Sequence, residues 1–502
     1  MTASRVRIRL EPLAAEFEVA RGASLSTSLV EHGVEFPCGG IGECGGCGVR
    51  MLAGSLPITA ADRDIFAPDE LAAGWRLACQ ARADAPLTLE CAQWQMQILS
   101  DAAEATAKPQ PNAARTGLGI AIDLGTTTIA AQLVDLATGR VLGVETLLNP
   151  QSAFGSDVMS RVRAALDGEN LTRPLREALG DLIVRLAAGR EKQIVEVLLV
   201  GNTVMHHLFC GLSVEPLSQV PFQSPHLGEQ RFTPRKLGWN LPAACAIRFV
   251  RCIGGFVGSD ILAGIVATGI AGQSELSALI DLGTNGEIVI GNSNGILCAS
   301  TAAGPAFEAG TIRMGMRAVT GAVSAVAMVR DELLATVIGN ATPHGICGSG
   351  LVDAVAVGLE TGAIQPSGRL AGTAKQFRVT QTVALYQSDI RELQLAKGAV
   401  AAGLRLLLNR LNAAFDALDR LHLAGAFGNY VQIESARRIG LIEAPHRIVR
   451  SAGNTALHGA RMLLLAGQEP PLPPIEHISL AAEPAFQDEF AACMAFPDGA
   501  PA

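Results

Sequence analysis

Strict alternation opens the chain. Val6, Ile8 and Leu10 alternate with Arg5, Arg7 and Arg9, the period-two pattern of a half-buried strand. Phe17 and Val19 predict a second strand after a turn near Glu11–Ala14. Ser24 is placed to cap a short helix ending at Gly33. A Gly- and Cys-rich loop follows from Cys38 to Gly48, and Leu87–Cys91 reads as a closing strand. Residues 96–116 turn to the Ala, Pro, Asn and Gln character of a linker. From Gly117, strand-like apolar runs alternate with long helical patterns, which predicts an α/β fold. One helix is marked by the apolar stripe Val400, Leu404, Leu407, Leu408, Leu411, Phe415 and Leu418.

The second region repeats itself. Ile122–Thr126 reads IDLGT, and Ile280–Thr284 reads IDLGT again. Each copy follows one apolar run and precedes another, TTIAAQLVD and NGEIVIGN. Two such strand–turn–strand units predict two similar lobes related by duplication.

At 502 residues the chain has room for about three domains of ordinary size. With 49% apolar and 17% charged residues it can bury a large core, which excludes global disorder. The formal charge of −8 and the 4% aromatic content argue against nucleic acid as a partner. No apolar run reaches the length of a membrane span, and the Arg-laced N-terminus lacks a leader's apolar core, so a cytoplasmic protein without a membrane partner is expected. Eleven cysteines are an odd number, and four of them cluster, which fits a metal or redox centre better than a disulfide framework.

Those four are Cys38, Cys44, Cys47 and Cys79: three thiolates on one tight loop and a fourth from afar. The set suits four-thiolate ligation of a 2Fe–2S cluster. Gly39, Gly40, Gly42, Gly45 and Gly46 let the loop's N–H groups turn toward the sulfurs and tune the potential. A structural zinc site is the alternative, although zinc usually takes two short Cys pairs. Cys91 stands outside the pattern and reads as core. The segment resembles vertebrate-type and bacterial 2Fe–2S ferredoxins of the adrenodoxin-like spacing, including Arg76–Gln80 (RLACQ) around the fourth cysteine. That resemblance implies a β-grasp fold and one-electron transfer.

Asp123–Thr128 reads DLGTTT: a strand ends in Asp and the chain turns back. Gly125 allows close approach to phosphate oxygens, Thr126, Thr127 and Thr128 add donors, and Asp123 can hold Mg²⁺. Asp281–Glu287 repeats the design with Gly283, Thr284 and Asn285, and Asp281 is the second Mg²⁺ candidate. Two copies suggest a nucleotide clamped between lobes. Gly425, Ala426, Phe427 and Gly428 end a third apolar strand and form a candidate loop against adenosine. The three loops in this order resemble the acetate and sugar kinase, Hsp70 and actin superfamily. Glu287 and Glu308 are candidates for positioning the attacking water, with salt-bridged loop carboxylates as the alternative. Lys397, read as opening the long helix, is a candidate for reaching the nucleotide, against a solvated helix face. Asp260 reads as metal shell, partner surface or helix cap. His206 and His207 lack a third ligand at zinc spacing and read as core or hydrogen-bonding histidines, and Cys347 reads as a small buried residue in a turn.

A 2Fe–2S ferredoxin joined to an actin-like ATPase resembles the reductive activators of corrinoid proteins. The resemblance also rests on Asn149–Gln151, Phe154–Val158, Val200–His207, Gly254–Asp260, Gly304–Glu308, Gly345–Gly350 and Asp389–Lys397. It implies a mixed α/β and α+β architecture: a β-grasp ferredoxin domain (1–95), a linker (96–116), two lobes of a duplicated actin-like, ribonuclease H-like ATPase (117–270 and 271–470) and a C-terminal extension (471–502). It implies ATP, Mg²⁺ and one 2Fe–2S cluster as cofactors, and one-electron reduction of Co(II) to Co(I) in the corrinoid protein of a methyltransferase system. An upstream reductase or ferredoxin and a homodimer are also implied. The segment from Cys91 to Gly117 is shorter than in longer relatives, which carry a further small domain there. Two other functions are weighed: low-potential electron donation to another enzyme, and a small-molecule kinase with the cluster as a redox switch.

Overall fold

A computed structural model of the chain describes residues 5–11, 15–30, 47–66, 68–91, 115–155, 157–283, 285–330, 332–428 and 430–499. The helix end at Gly33, Cys38, Cys44, the linker up to residue 114 and Thr284 lie outside the described residues.

The opening alternation forms the strand Arg5–Glu11, with Val6, Ile8 and Leu10 buried and the arginines exposed. Its outward arginines meet the glutamates of the antiparallel strand Ala15–Ala20, Arg9 lying 3.2 Å from Glu16. The five-stranded sheet runs Ala15–Ala20, Arg5–Glu11, Leu87–Cys91, Gly48–Ala53, Trp75–Leu77. Helix Leu25–Val30 follows Ser24, and Leu25 and Leu29 close the small core with Leu77 and Leu89.

Two six-stranded sheets share one topology. In the first lobe the order is Val141–Leu148, Thr128–Asp135, Leu118–Leu124, Ile194–Val200, Ala246–Phe249, with Gln230–Phe232 at the far edge. In the second lobe, Gly295–Thr301, Gly286–Asn292, Ser277–Leu282, Arg420–Ala424 and Val449–Gly453 occupy the same five places, and Ile475–His477 adds an edge. In both lobes the first three strands in chain order form an antiparallel meander and the next two join in parallel. The two IDLGT segments end the corresponding central strands, so the repeat in sequence is a repeat in structure.

One helix follows the fifth strand of each lobe, Ser259–Thr268 in the first and Thr455–Ala466 in the second. These two helices pack against each other, and the second also packs on the first lobe's strands Leu118–Leu124 and Ile194–Val200. Ala456, Ala460, Leu463 and Leu464 share an apolar cluster with Ala121 and Leu198. The crossing is close: a Cβ on Gly459 would lie 1.9 Å from the Ala263 carbonyl oxygen. The pair is the hinge on which the lobes meet.

The long amphipathic helix is Gln387–Arg410. The stripe overreaches it: Leu411 is its C-cap, Asn412 has φ of 51°, and Phe415 and Leu418 belong to the following turn. Residues 475–496 are built into the second lobe. Strand Ile475–His477 pairs with Gly295–Thr301, and helix Phe486–Met494 packs on Gln387–Arg410.

Candidate functional site

The cleft between the lobes is built from equivalent ends of the two sheets. Asp123 ends one central strand and Asp281 the other. Glu287 stands directly across from Asp281 in the antiparallel ladder. Asp260 sits in the first turn of the hinge helix Ser259–Thr268, its Oδ1 accepting from the Ile261 N–H at 2.8 Å. The four carboxyls feel one another. Burial, then Asp123 and Asp281, pushes Asp260 up to about 8. Burial and Asp123 push Asp281 up to about 7. Burial raises Asp123 to about 6 against a hydrogen bond from Asn454. Glu287 is raised by burial, Asp260 and Asp281, and accepts from the Ser300 hydroxyl at 3.3 Å. Carboxyls raised first by burial and then, at Asp260, Asp281 and Glu287, by one another are a donor set suited to a hard divalent cation.

The first phosphate loop is held from three sides. The Asn149 N–H donates to the Thr127 carbonyl at 2.9 Å, and its Nδ2 donates to the Gly125 carbonyl at 2.8 Å. Asn202 Nδ2 donates to Thr126 Oγ1 at 2.9 Å, while Asn202 Oδ1 caps helix Thr203–Cys210. Asn454 Nδ2 donates to Asp123 Oδ2 at 3.0 Å, while its Oδ1 caps helix Thr455–Ala466. Asn202 and Asn454 therefore each spend one side-chain atom on a helix and the other on the loop, which fixes the loop to two helix N-termini. Sequence reasoning missed Asn454. The signal was present: Gly201-Asn202-Thr203 and Gly453-Asn454-Thr455 repeat the same three residues after two apolar strands.

In the second loop, the Gly283 N–H donates to the Asn285 carbonyl at 3.0 Å. Gly425, at φ of 84°, brings the third loop against the second: a Cβ there would lie 2.6 Å from Asp281 Oδ1 and 2.5 Å from the Leu282 carbonyl. Only glycine fits that cradle. Phe427 turns inward and stacks on Phe307 with centroids 4.8 Å apart, so the loop offers a ligand its backbone and not this ring. Gly428 completes the short helix Gly425–Gly428.

Cys47 and Cys79 come together at the end of the small sheet. Gly48 pairs with Leu77, and the Ala78 N–H donates to the Cys47 carbonyl at 3.1 Å. Asp62, buried within a Thr59 capping box, accepts from the Leu77 N–H at 2.7 Å and fixes the strand Trp75–Leu77 that leads into the turn Ala78–Gln80 carrying Cys79. Arg76 is buried and donates to the Leu56 and Leu71 carbonyls. Gln80 Nε2 donates to Cys79 Sγ at 3.5 Å, an N–H to sulfur bond of the kind that favours thiolate ligands. Two thiols on adjacent rigid elements with an amide donor on sulfur fit a cluster site.

Other candidates separate from the site. Lys397 lies in the middle of the long helix, not at its start, and does not reach the cleft. Its Nζ donates to the Ala495 carbonyl and sits over the Phe496 ring, and burial lowers it to about 8. His206 and His207 are core groups. His207 Nδ1–H donates to the Thr203 carbonyl and Nε2 accepts from the Ser224 hydroxyl, while His206 lies edge-on to Phe249. Cys347 is buried in the turn before helix Gly348–Glu360, as read. Glu308 ends the turn Pro305–Glu308 in the second lobe and adds to the field at Arg161 of the first. Among the described residues, no group of three metal-ligating side chains is preformed, and no helix is long and apolar enough to cross a membrane.

The fold and site define a two-lobed, actin-like nucleotide-cleft protein that carries a ferredoxin domain. Comparison with known proteins agrees domain by domain. Residues 8–84 match the 2Fe–2S iron–sulfur cluster binding domain, residues 118–273 the RACo middle region, and residues 275–501 the C-terminal ASKHA domain of RACo. The chain is 34% identical to the corrinoid activation enzyme RamQ of Eubacterium limosum, over 74% of this chain and 69% of that protein. It is 28% identical to the [Co(II) methylated amine-specific corrinoid protein] reductase of Methanosarcina barkeri, over 69% of this chain and 70% of that one. A solved structure titled reductive activator for corrinoid, iron–sulfur protein superposes with a TM-score of 0.66 at 25% identity, covering 98% of each chain. The chain belongs to the family of reductive activators of corrinoid proteins. A 2Fe–2S cluster, ATP and Mg²⁺ are its cofactors, and it is an ATP-dependent enzyme.

Proposed function

We propose that the protein returns one electron to an inactive Co(II) corrinoid protein, forming Co(I), at the expense of ATP hydrolysis. The observation that carries the reading is the joining, in one chain, of a ferredoxin fold to a cleft where Asp123, Asp260, Asp281 and Glu287 converge between two phosphate loops. When bound, the cluster supplies electrons one at a time. Cys38, Cys44, Cys47 and Cys79 are its proposed ligands. Asp123 and Asp281 are the proposed Mg²⁺ groups, and Glu287 orients the attacking water. Gly125, Thr126, Thr127, Thr128, Gly283, Thr284, Asn285 and the Gly425–Gly428 loop hold the nucleotide.

The energetics explain why ATP is needed. For one electron, about 60 mV is a factor of ten, or about 1.4 kcal/mol, so a donor several hundred millivolts too positive faces roughly 5–10 kcal/mol uphill. Nucleotide can drive that step only by binding the states before and after transfer with different affinity. We assign residues 1–95, 117–270 and 271–470, the last together with the segment 471–502, whose residues 475–496 fold onto it, as the working units, with an upstream reductase or ferredoxin as donor, a homodimer as the assembly and the cytoplasm as the site of action.

Two variants in one anaerobic assay test the assignment. Cys47→Ser removes the cluster's visible absorption and all Co(I) formation, and keeps ATP hydrolysis. Asp281→Asn keeps the absorption and lowers ATP hydrolysis about 100-fold or more, because one of the two proposed Mg²⁺ groups loses its charge. Retention of Co(I) formation by either variant contradicts the assignment.

A further inference from the structure

The ferredoxin domain touches both lobes, and its contact with the first lies beside the cleft. In the first lobe, Leu148 is buried in the same apolar cluster as the ferredoxin core residues Leu10, Leu25 and Leu89. The next residue, Asn149, holds the Gly125 and Thr127 carbonyls of the first phosphate loop. In the second lobe, His344 Nε2 lies 2.7 Å from Glu70 Oε1 of the ferredoxin domain. The His344 ring sits edge-on to Phe66, centroids 5.1 Å apart. His344 leads through Gly345 and Ile346 into helix Gly348–Glu360.

The seat is incompletely filled. A cavity of about 310 Å³ remains between Gly48, Phe66 and Trp75 on one side and Met316, Thr320 and His344 on the other. Gly48 follows Cys47, so the cluster-bearing end of the domain faces this seam. A hydrogen-bonded His344–Glu70 pair, an edge-on aromatic contact and an unfilled cavity, among the described residues, describe a seam made to separate, as weaker interdomain contacts do.

We propose that the ferredoxin domain is a bridge across the cleft whose seat depends on the spacing of the lobes, so that nucleotide-driven closure unseats it and presents its Cys47 end to the corrinoid protein. The proposal rests on the nucleotide reading of the cleft given above. A rigid body held at Leu148 on one lobe and at His344 on the other fits one spacing only. Apolar contact is lost beyond roughly 4.5 Å and a hydrogen bond beyond about 3.5 Å, so a shift of an ångström or two breaks one end. Closure and docking therefore compete. Competition is reciprocal: nucleotide weakens docking by the factor by which docking weakens nucleotide binding, so a variant that docks less binds nucleotide more tightly.

The test uses the full-length, cluster-loaded protein and a non-hydrolysable ATP analogue with Mg²⁺. Analogue affinity is measured by equilibrium dialysis and the radius of gyration by small-angle X-ray scattering. In the wild type, the analogue binds and the radius rises. In Glu70→Gln and in His344→Ala, both at the seam and outside the cleft, the radius is already raised without nucleotide and the affinity is about fivefold or more tighter. Cluster absorption and a cooperative melt show that each variant is folded. Analogue that binds the wild type without changing its radius overturns the bridge and leaves the nucleotide reading standing. Failure of the analogue to bind overturns both. Variants that match the wild type in radius and affinity overturn the role of the His344–Glu70 pair and with it the bridge.

Discussion

Asn454 shows how much one side chain does at this site. Its Oδ1 caps a hinge helix, and its Nδ2 holds Asp123, opposing the burial that raises that carboxyl. The two duties can be separated. Serine also caps a helix and lacks the amide donor, so Asn454→Ser keeps stability to within a few tenths of a kcal/mol. ATP hydrolysis falls about tenfold, on the order of the loss of one hydrogen bond to a charged group. Thermal melting and phosphate release check the two halves; an equal loss in both would make Asn454 a cap alone. Asp123 and Asp281 were legible because each ends an apolar run and sits in a repeat long enough to notice. Asn454 was not, because three repeated residues carry little signal and its partner Asp123, 3.0 Å away in space, lies 331 residues earlier in the chain. Lys397 misled for a related reason. A lysine on an amphipathic helix reads as solvated, and its burial depends on Ala495 and Phe496 folding back over it.

Among the elements, the hinge helices Ser259–Thr268 and Thr455–Ala466 join the lobes and carry Asp260 and Asn454 at their N-terminal ends. Chain order hides this exchange: the second helix follows a second-lobe strand and packs on the first lobe's sheet. Their crossing depends on Gly459, where any side chain meets the Ala263 carbonyl. Gly459→Ala lowers stability by about 1–3 kcal/mol, the range for overpacking a tight contact, although the residue touches neither phosphate loop. Calorimetry reads this as a lower melting temperature; an unchanged melt would remove the helix pair as the hinge. The strands were legible at Val6–Leu10 because alternation there is strict and local. The long helix was legible in its middle but not at its end. Leu411, Phe415 and Leu418 keep the apolar spacing, yet the backbone turns at Asn412 and buries Leu418 from a different element.

Across the whole molecule, the raised cleft carboxyls tie stability to pH and, under the proposed assignment, to Mg²⁺. Asp123, Asp281 and Asp260, raised to about 6, 7 and 8, favour the protonated state in the folded cleft. A carboxyl with a raised folded value contributes stability below its unfolded value, and that contribution is lost as pH rises through the folded value. Without cation, the melting temperature therefore falls as pH rises from about 4, the ordinary carboxylate value, to about 8. Mg²⁺ with nucleotide binds the ionised form, so it raises the melting temperature more at pH 8 than at pH 6 and releases protons on binding. Calorimetry in two buffers of different ionisation enthalpy counts those protons; none released would contradict the assignment of these carboxyls to the metal. The small sheet, the two lobes and the hinge together make one machine in which a nucleotide cleft governs an electron carrier. The most direct measurement of that claim is the anaerobic visible spectrum of the protein with a Co(II) corrinoid protein and a reductant, with and without Mg-ATP. Co(I) that forms only when ATP is present is the expected result. Equal Co(I) without ATP, or ATP consumed with the cluster reduced and no Co(I), would contradict it.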